Sequence, residues 1–386
     1  MDINNKQEIT YIKLNKKDGQ RFIDFIKKNF KKIQIINHKF KILYENDYIL
    51  YPIIPNQELL EKVKNLIDKL IIFELNSQVG IPNEYYKFRT LREALEGKIL
   101  NEYLDLLPKS YDIIGDIVVV ELDKFPQLYG EEFYNFKDKI AKAIVDVNDY
   151  IKTVYEKRSE IKGKYRLREL ALLYGENKSE TVHKENGCFF KLDVKDTYFT
   201  PRLVFERRRV GSSGIKETEL IIDMFAGVGT FSIQIAKNKN VKIYAFDINP
   251  EAYRYLKENI NLNKLKGEIF ANNIDIKNLL NPKNDLGKRL MNKADRIIMN
   301  LPESSIKFID VACFLMKESG GILHFYRFSD KPNPIEKTLS DLESELSLYN
   351  WEIESIMTSR IVKHYSPKSE LVVIDVKIKG QNKMRA

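Results

Sequence analysis

From about residue 189 onward, short apolar runs alternate with longer stretches in which apolar residues recur at helical spacing. Short apolar runs are typical of buried strands, and helices of roughly 10–15 residues between them predict a doubly wound parallel sheet. The late strands can be added to that sheet in the antiparallel sense. Seven strands are expected, near residues 220–224, 241–246, 267–271, 294–299, 321–326, 351–358 and 370–378.

The first half of the chain predicts two smaller domains of α/β or α+β type. Residues 78–83 (QVGIPN) carry turn-forming residues and predict a linker between them. We therefore expect three domains, at residues 1–77, 78–188 and 189–386. The elements expected in the first two are strands at 10–14, 48–54 and 116–122, and helices at 19–30, 57 to about 70, 91–107 and 131–147.

Composition limits the possible functions. An apolar fraction of 43% supports a sizeable core, and no run of about 20 apolar residues indicates a membrane span. Cys188 and Cys313 fit a reducing cytoplasm, and the four scattered histidines predict no metal site. The net charge of +9 favours a polyanionic partner such as nucleic acid. The same excess of lysine can simply reflect the base composition of the gene.

The most informative stretch is LIIDMFAGVGTFS, residues 220–232. An apolar strand ends in Asp223, and two glycines, Gly227 and Gly229, precede a segment that can begin a helix. Glycine permits a left-handed backbone and lets a ligand approach the main chain closely. A strand, a tight turn and a helix N-terminus in this order predict a site for a nucleotide-like ligand.

Two cofactors fit such a loop. The acid Asp247 follows the strand at 241–246 and lies at the spacing that an NAD site requires, although Ser232 occupies the third small position. Asp223, however, stands at the mouth of the turn, where a carboxylate repels a pyrophosphate and suits an amino group. This acid favours S-adenosylmethionine, and NAD remains the alternative.

A second signal is the sequence NLP at the end of the apolar strand near 294–299. Asn300 offers both a carbonyl acceptor and an amide donor, and Pro302 fixes the local backbone. The carboxyl edge of an open α/β sheet is where ligands bind. Methylation of an aromatic or amide nitrogen needs such an oriented donor–acceptor pair. The alternative is that Asn300 only caps the following turn.

An ordered set of motifs resembles the archaeal and eukaryotic tRNA (guanine-37, N1)-methyltransferases over roughly residues 110–376. Glycine loops recur in many families, but this ordered combination is specific. The first 77 residues resemble the family only in size and placement. The motifs are YDIIGD (111–116), YRLREL (165–170), HKENG (183–187), YFTPR (198–202), DMFAGVG (223–229), DINP (247–250) and NLP (300–302).

The resemblance implies a class I, Rossmann-like methyltransferase domain preceded by two tRNA-binding domains. The first would contact the outer corner of the tRNA and the second the anticodon arm. It also implies S-adenosylmethionine as cofactor, tRNA as partner and action as a cytoplasmic monomer. Some archaeal members also methylate carbon 7 of 4-demethylwyosine in phenylalanine tRNA, and we expect either specificity or both.

The resemblance also implies roles for four residues at the reacting base. N1 of guanine carries a proton at neutral pH, and Glu206 matches the proton acceptor of the family. Arg166 matches the cation that stabilises the charge developing on O6. Asn300 would hold the base edge, and Tyr198 would pack beside the extruded base. Further residues expected to contact the substrate are Arg202, Arg207 and Pro302.

Each of these residues also has a simpler interpretation. Arg166 fits a phosphate contact in a basic segment, and Glu206 fits an ion pair with one of the adjacent arginines. Tyr198 is one of 21 tyrosines and fits the core or the surface equally well. Arg202 and Arg207 fit an RNA-binding or solvated surface better than a catalytic role.

For the cofactor, Asp247 is expected to bind the ribose hydroxyls and Ile248 to flank the adenine. The acid that usually follows the third strand is replaced here by Asn273, which can still accept a hydrogen bond from the adenine amino group. The full set of expected cofactor contacts is Asp223, Phe225, Gly227, Gly229, Asp247, Ile248, Asn273 and Asn300.

Two other classes of protein remain as alternatives. An RNA-binding protein with a vestigial methyltransferase domain would bind tRNA without modifying it. An NAD-dependent dehydrogenase would bind nicotinamide cofactors and have no affinity for RNA.

Overall fold

The computed structural model describes residues 7–31, 33–67, 70–122 and 130–381. The chain divides into two compact units, Met1–Thr90 and Leu91–Ala386. The finer division into three domains stays a prediction.

The first unit is a four-stranded antiparallel sheet with two helices. Its strand order is β2-β3-β1-β4. Apolar residues such as Ile12, Phe22 and Val63 are fully buried between the sheet and the helices. The final strand extends into the stretch predicted as a linker, and the predicted residues 68–69 of the second helix lie outside the described residues. The elements are β1 (Glu8–Asn15), α1 (Gly19–Asn29), β2 (Leu43–Glu45), β3 (Tyr48–Pro52), α2 (Gln57–Ile67) and β4 (Phe73–Val79).

The second unit begins with a small mixed sheet in the order β5-β6-β7-β8. The helix predicted at 91–107 is two short helices, because the backbone at Gly97 turns left-handed (φ +73°). A two-stranded antiparallel sheet, β9–β10, leads to the next sheet. The elements are α3 (Leu91–Leu95), α4 (Asn101–Leu104), β5 (Asp112–Ile114), β6 (Ile117–Val120), α5 (Gly130–Val147), β7 (Thr153–Lys157), β8 (Leu170–Gly175), β9 (Glu180–Glu185) and β10 (Cys188–Asp193).

A seven-stranded sheet forms the rest of the second unit and confirms the predicted doubly wound architecture. Its order is β13-β12-β11-β14-β15-β17-β16, with the last two strands antiparallel. The elements are α6 (Val204–Gly211), β11 (Leu220–Asp223), α7 (Thr230–Asn238), β12 (Lys242–Asp247), α8 (Pro250–Leu262), β13 (Glu268–Asn273), α9 (Asp285–Leu290), β14 (Arg296–Met299), α10 (Ile309–Leu315), β15 (Gly321–Asp330), α11 (Pro334–Ser347), β16 (Trp351–His364) and β17 (Ser369–Gly380).

The strand order reverses between β11 and β14, which pair in parallel. The chain leaves β11 toward β12 on one side, and β14 continues to β15 on the other. Connections depart in opposite directions at such a point and leave a crevice at the carboxyl ends of the strands. Asp223 and the residues after Met299 therefore lie at neighbouring strand ends.

Within the described ranges, no helix combines the length and the apolar character that crossing a membrane requires.

Candidate active site

The glycine loop after β11 is a sharp turn whose backbone needs glycine twice. Gly227 and Gly229 have φ values of +56° and +94°, in the left-handed region. A Cβ at Gly229 would lie 2.5 Å from Leu256 Cδ1 and 2.9 Å from Ile233 Cδ1, whereas a Cβ at Gly227 would meet only Tyr198 O, at 3.9 Å. Gly229 thus serves the packing of the turn against α7 and α8, and Gly227 faces open space.

Asp223 lies buried behind this turn. The Ser232 hydroxyl donates a hydrogen bond of 2.7 Å to its Oδ2, whereas its Oδ1 has no partner among the described residues. Burial raises the pKa of Asp223 to about 6, against the opposing effect of its hydrogen bonds. The carboxyl is therefore largely ionised at neutral pH and has one oxygen free, although it is not part of the cavity wall described below.

Asp247, at the end of β12, accepts a hydrogen bond that fixes the glycine loop in position. Its Oδ2 accepts a hydrogen bond of 2.7 Å from the Gly227 N–H, and its Oδ1 accepts one of 2.8 Å from the Asn249 N–H. Burial raises the pKa of Asp247. The acid therefore holds the glycine loop and the turn into α8 in fixed relative positions.

A cavity of about 340 Å³ opens beside the loop at the strand ends. Four of the residues predicted to contact the cofactor line it, namely Asp247, Ile248, Phe225 and Gly227, and the Phe225 ring packs edge-on against Phe308 at 5.0 Å. Gly229 is not among its lining residues. The cavity is thus polar at the loop and apolar at the wall, as binding of a nucleoside requires.

The residue predicted at the third strand end lies outside the cavity wall, and its cofactor contact stays a prediction. The Asn273 side chain is exposed, does not line the cavity and donates its amide N–H to the Asp247 main-chain oxygen at 2.9 Å. Asp275, two residues on, lies on the cavity wall. Asp275 is thus an acidic residue of the wall, just beyond the end of β13, that was not predicted.

Asn300 follows β14 and faces the same cavity. Its side-chain oxygen is buried and unpartnered, and its amide makes no hydrogen bond to any described residue. Ser305 caps the turn instead, because its hydroxyl accepts from Leu301 N–H and donates to the Met299 carbonyl, both at 3.1 Å. The capping alternative for Asn300 is therefore wrong, and its donor and acceptor are both available to a ligand.

A second cavity of about 540 Å³ adjoins the first. It lies between the mixed sheet β5–β8 and the seven-stranded sheet. Six lining residues belong to both cavities. Asn300, Tyr198 and Arg166 are among them and form a shared wall. Pro302 and Arg202 line the second cavity alone. Three of the four residues predicted to act on the base are thus brought together where two ligands could meet.

Arg166 is held at this wall by unusual backbone geometry. It adopts a left-handed conformation (φ +57°) in the hairpin turn closed by Lys162 and Leu167. Its guanidinium lies 4.3 Å from the Tyr198 ring centroid, and its Nη2 is 3.1 Å from Glu303 Oε1. A strained backbone that is held by packing is found most often at functional sites.

The other predicted arginines have protein partners. Arg207 is buried and donates to both oxygens of Glu185, at 2.5 and 2.6 Å, so its guanidinium is committed although it borders the first cavity. Burial alone would raise the pKa of Glu185, but the nearby His183 ring, at 3.6 Å, and the hydrogen bonds from Arg207 hold it below its usual value. Arg202 donates to Asp112 at 2.6 Å and remains half exposed.

Glu206 is the one predicted catalytic residue that lines neither cavity. It is buried, and its carboxylate accepts hydrogen bonds from Arg209 Nη2 and the Tyr326 hydroxyl, both at 3.0 Å, and contacts Arg360. The alternative of an ion pair with an adjacent arginine is therefore observed. Its role as proton acceptor stays a prediction.

Sequence inspection missed several residues of these walls. Tyr165 and Asp275 line the first cavity, and Lys363 lines the second. Glu303, which pairs with Arg166 but lines neither cavity, could have been found from the sequence because it directly follows the NLP motif. Lys363 gave no signal, since a lysine in an alternating strand is normally solvated. The described residues contain no group of three or more His, Cys, Asp or Glu side chains placed to hold a metal ion.

Models of two protein families match this chain. Residues 181–353 match the TRM5/TYW2 methyltransferase domain, and residues 91–178 match the TYW2 N-terminal domain. The matches together cover the mixed sheet β5–β8 and strands β11–β15 of the seven-stranded sheet, and end before most of β16 and all of β17.

Curated relatives span most of the chain. The tRNA (guanine(37)-N(1))-methyltransferase Trm5b of Pyrococcus abyssi is 33% identical over 95% of this chain and 98% of its own. Taw21 of Saccharolobus solfataricus, a tRNA 4-demethylwyosine(37)-methyltransferase, is 34% identical over 70% of this chain and 94% of its own. A tRNA(Phe) (4-demethylwyosine(37)-C(7)) aminocarboxypropyltransferase of Pyrococcus horikoshii is 33% identical over 75% and 96%.

Solved structures agree with these relatives. The structure of aTrm5 in complex with tRNALeu has a TM-score of 0.70 and 33% identity, covering 95% of this chain and 99% of that one. The structure of Methanocaldococcus jannaschii TYW2 in complex with AdoMet has a TM-score of 0.51 and 27% identity, covering 70% of this chain and 100% of that one.

Proposed function

Because the chain belongs to the TRM5/TYW2 methyltransferase family, we propose that it methylates N1 of guanosine at position 37 of tRNA with S-adenosylmethionine. The observation that carries this proposal is the shared wall of Arg166, Tyr198 and Asn300 between two adjoining cavities. One cavity suits a nucleoside cofactor, and the other opens between the two sheets and suits an extruded base. The names of full-length relatives support the same activity.

The first cavity fits the proposed cofactor. Asp247 offers a carboxylate at the second strand end for ribose hydroxyls, and Ile248 and Phe225 supply apolar surface for an adenine ring. Asp275 is better placed than Asn273 to meet the adenine amino group. The side-chain oxygen of Asn300 is an unpaired polar atom on the cavity wall whose partner a ligand with an amino group would supply, whereas Asp223 lies behind the loop and outside that wall. When bound, S-adenosylmethionine supplies a methyl group activated by a sulfonium.

The shared wall suits the Watson–Crick edge of guanine. Arg166 carries a permanent charge that can stabilise negative charge developing on O6. Asn300 has a free donor and a free acceptor for the same edge. Tyr198, already stacked with Arg166, offers an aromatic surface that offsets the cost of extruding a base from the anticodon loop.

We retain Glu206 as the proposed acceptor of the N1 proton. In the resting structure its Oε2 accepts hydrogen bonds from Arg209 and Tyr326, and its Oε1 contacts Arg360 without a hydrogen bond. The role therefore requires the side chain to leave these partners when the base enters. The contacts keep the carboxylate buried until then, and a Glu206→Gln variant that retains full single-turnover rate would exclude the role.

The proposed partner is tRNA, bound by a chain with a net charge of +9. A structural relative has been solved with tRNALeu. We further propose that the enzyme acts as a monomer in the cytoplasm, where its two buried cysteines stay reduced.

A second candidate activity is methylation of 4-demethylwyosine at position 37. The relative Taw21 carries that name, and the second cavity, at about 540 Å³, offers room beyond a single purine. The chemistry at the first cavity would be unchanged, because only the nucleophilic atom differs.

Labelled cofactor tests these activities together. The protein is incubated with S-adenosylmethionine labelled in the methyl group or in the carboxyl group, and with unmodified tRNA transcripts or tRNA bearing 4-demethylwyosine. The proposal predicts that methyl label alone appears in 1-methylguanosine after digestion. Transfer of carboxyl label would indicate aminocarboxypropyl transfer. Methyl label that appears only on the tRNA bearing 4-demethylwyosine would exclude guanosine methylation and support the second candidate activity. If the protein binds tRNA but transfers no label to it, the protein is an RNA-binding protein without methyltransferase activity.

A further inference from the structure

The second cavity gathers more positive charge than its own acids neutralise. Lys157 and Arg202 share the carboxylate of Asp112, at 3.4 and 2.6 Å. Arg166 has Glu303. Lys363 lines the same cavity and has neither a hydrogen bond nor an ion pair with any described residue. Arg168 also lines this cavity and has no such partner either, so Lys363 and Arg168 are the two cations among the described lining residues that a ligand could engage without breaking an existing pair.

The position of Lys363 differs from that of a solvated surface lysine. It lies near the end of β16, is half-buried, and points into the cavity. Burial holds the pKa of Lys363 below its usual value, and nearby cations lower it further against the opposing effect of Asp112. These cations are Arg202, Lys157 and Arg166. An anion brought into the cavity would relieve this repulsion, so the resting structure favours a negatively charged occupant.

The chemistry of the surroundings identifies the anion. The ammonium of lysine is a compact point charge that suits phosphate. Lys363 lines the second cavity but not the first, so it does not face the proposed cofactor. The same cavity contains the wall of Arg166, Tyr198 and Asn300, where the proposed function places a base. A phosphate in this cavity would therefore belong to the nucleotide whose base is held there.

We propose that Lys363 binds one of the two backbone phosphates flanking the extruded nucleotide of the substrate tRNA. The inference rests on the proposed function, since it takes the base to lie against the shared wall. Lys363 would fix the sugar–phosphate chain while Arg166 and Asn300 contact the base edge. Positioning of this kind contributes to substrate affinity and orientation and leaves cofactor binding unaffected.

Neutral backbone linkages test this contact directly. Two tRNAs are assembled by ligation, with a methylphosphonate on the 5′ or the 3′ side of nucleotide 37, and kcat/KM is compared with that of the unmodified tRNA. For the wild-type protein, one of the two linkages should lower kcat/KM about tenfold, the order expected for one charge-assisted hydrogen bond. Lys363→Gln should start about tenfold lower and lose nothing more at that linkage.

Matched variants separate the contact from general charge and from folding. Lys363→Arg should recover most of the affinity, and Lys363→Met keeps the apolar stem if the glutamine variant folds poorly. Lys368→Gln removes an exposed positive charge from the following turn and should remain as sensitive to the neutral linkage as the wild type. Affinity for S-adenosylmethionine should be the same in all four variants.

The proposal is overturned if each linkage affects wild type and Lys363→Gln by the same factor, or if neither linkage affects the wild type. These outcomes differ from failure of the proposed function, in which the wild type methylates no tRNA. In that event the same comparison is made on equilibrium tRNA binding. Loss of the linkage effect in Lys363→Gln would still support the phosphate contact, and a wild type that binds no tRNA would exclude it.

Discussion

Asp223 shows how a single buried carboxyl can oppose folding. Its pKa is raised from 3.8 to about 6 by burial, so ionisation costs the folded state roughly 3 kcal/mol at pH well above 6. Because the folded pKa lies above the unfolded one, this cost is fully present at pH well above 6, shrinks as the pH falls below about 6, and is lost only below the unfolded pKa of 3.8. A ligand with an amino group near Oδ1 would offset the cost by pairing with the charge.

We predict that Asp223→Asn stabilises the ligand-free protein while weakening the binding of S-adenosylmethionine. The amide removes the buried charge but leaves an unpaired donor, so the gain in unfolding free energy at pH 7.5 should be about 1 to 2 kcal/mol. Urea denaturation at pH 7.5 and pH 5 measures it, and the advantage should shrink at the lower pH. Asp285→Asn, at a side chain 91% exposed, is the control. An Asp223→Asn variant whose stability relative to the wild type does not change with pH would contradict the pKa shift.

Arg166 gives a second prediction at this scale. Arg166→Lys keeps a positive charge but loses the planar group that stacks on Tyr198 and reaches Glu303. We expect the single-turnover rate at saturating tRNA to fall about tenfold to a hundredfold, because oriented charge at O6 is lost. The dissociation constant for S-adenosylmethionine should not change.

Arg168→Ala, which removes a neighbouring cation of the second cavity, serves as the control and should act mainly on KM for tRNA. Equal effects of Arg166→Lys and Arg168→Ala on KM alone would show that Arg166 only contacts phosphate.

Residues at the ends of parallel strands were predictable from sequence, and residues from crossing elements were not. Asp247, Ile248 and Asn300 each follow an apolar run, and the carboxyl ends of parallel strands meet at one edge. Lys363 reaches the site from an antiparallel strand near the end of the chain, which local patterning cannot place. The run of arginines after Glu206 was visible, but its pattern does not show that Arg207 turns toward Glu185.

At the scale of elements, the two glycines of the loop after β11 have different roles, since Gly229 packs against neighbouring helices and Gly227 borders the first cavity. Gly229→Ala would place a Cβ against Leu256 and Ile233 at φ +94°. We predict a loss of about 2 kcal/mol or more in unfolding free energy from strain and overpacking. Gly227→Ala should cost only about 1 kcal/mol, because its Cβ meets open space.

The affinity for S-adenosylmethionine should respond in a different way. Gly227 lines the first cavity and Gly229 does not. Relative to the unfolding free energy that each variant loses, Gly227→Ala should therefore weaken the binding of S-adenosylmethionine more than Gly229→Ala does. Chemical denaturation measures the lost unfolding free energy of both variants, and isothermal titration measures their affinity for the cofactor. An equal ratio of lost affinity to lost stability in the two variants would contradict the separate roles of the two glycines.

The buried pair between Arg207 and Glu185 joins α6 to the hairpin of β9 and β10. Arg207→Ala should lower the unfolding free energy by about 3 to 5 kcal/mol, because it leaves a buried carboxylate without its charge partner. Arg208→Ala, at the exposed neighbouring position, should change it by less than about 0.5 kcal/mol. Thermal melts of both variants decide the point. Near-equal melting temperatures would mean that Arg207 is free for RNA.

Strands of the large sheet were predictable because each is a short apolar run between helices, and their observed bounds differ mainly in length. The last two strands, β16 and β17, extend beyond the predicted ranges because they pair with each other over a long antiparallel ladder. The hairpin of β9 and β10 was not predicted. Its polar, charged strands gain their burial from packing against neighbouring elements, which alternation within one strand does not show.

At the scale of the whole molecule, the boundary near residue 90 recurs in independent observations. The two compact units meet at Thr90, and the family models that match the chain begin at residue 91. Relatives such as Taw21 match only 70% of this chain, although the match covers 94% of their own length. The first unit has a buried cluster of its own, with Phe22 and Tyr51 in aromatic contact at 4.9 Å.

We therefore predict that residues 91–386 fold and bind S-adenosylmethionine with the affinity of the full chain. All of the described residues that line the two cavities belong to the second unit, so removal of the first unit is expected to leave their walls intact. Isothermal titration on the truncated and full-length proteins measures the affinity, and a single cooperative melt of the truncated protein shows that it folds. Methylation of a short anticodon stem–loop should then proceed equally with both proteins, whereas any difference on full-length tRNA measures what the first unit contributes to RNA binding. A truncated protein that melts cooperatively but binds the cofactor tenfold more weakly would show that the first unit shapes the site.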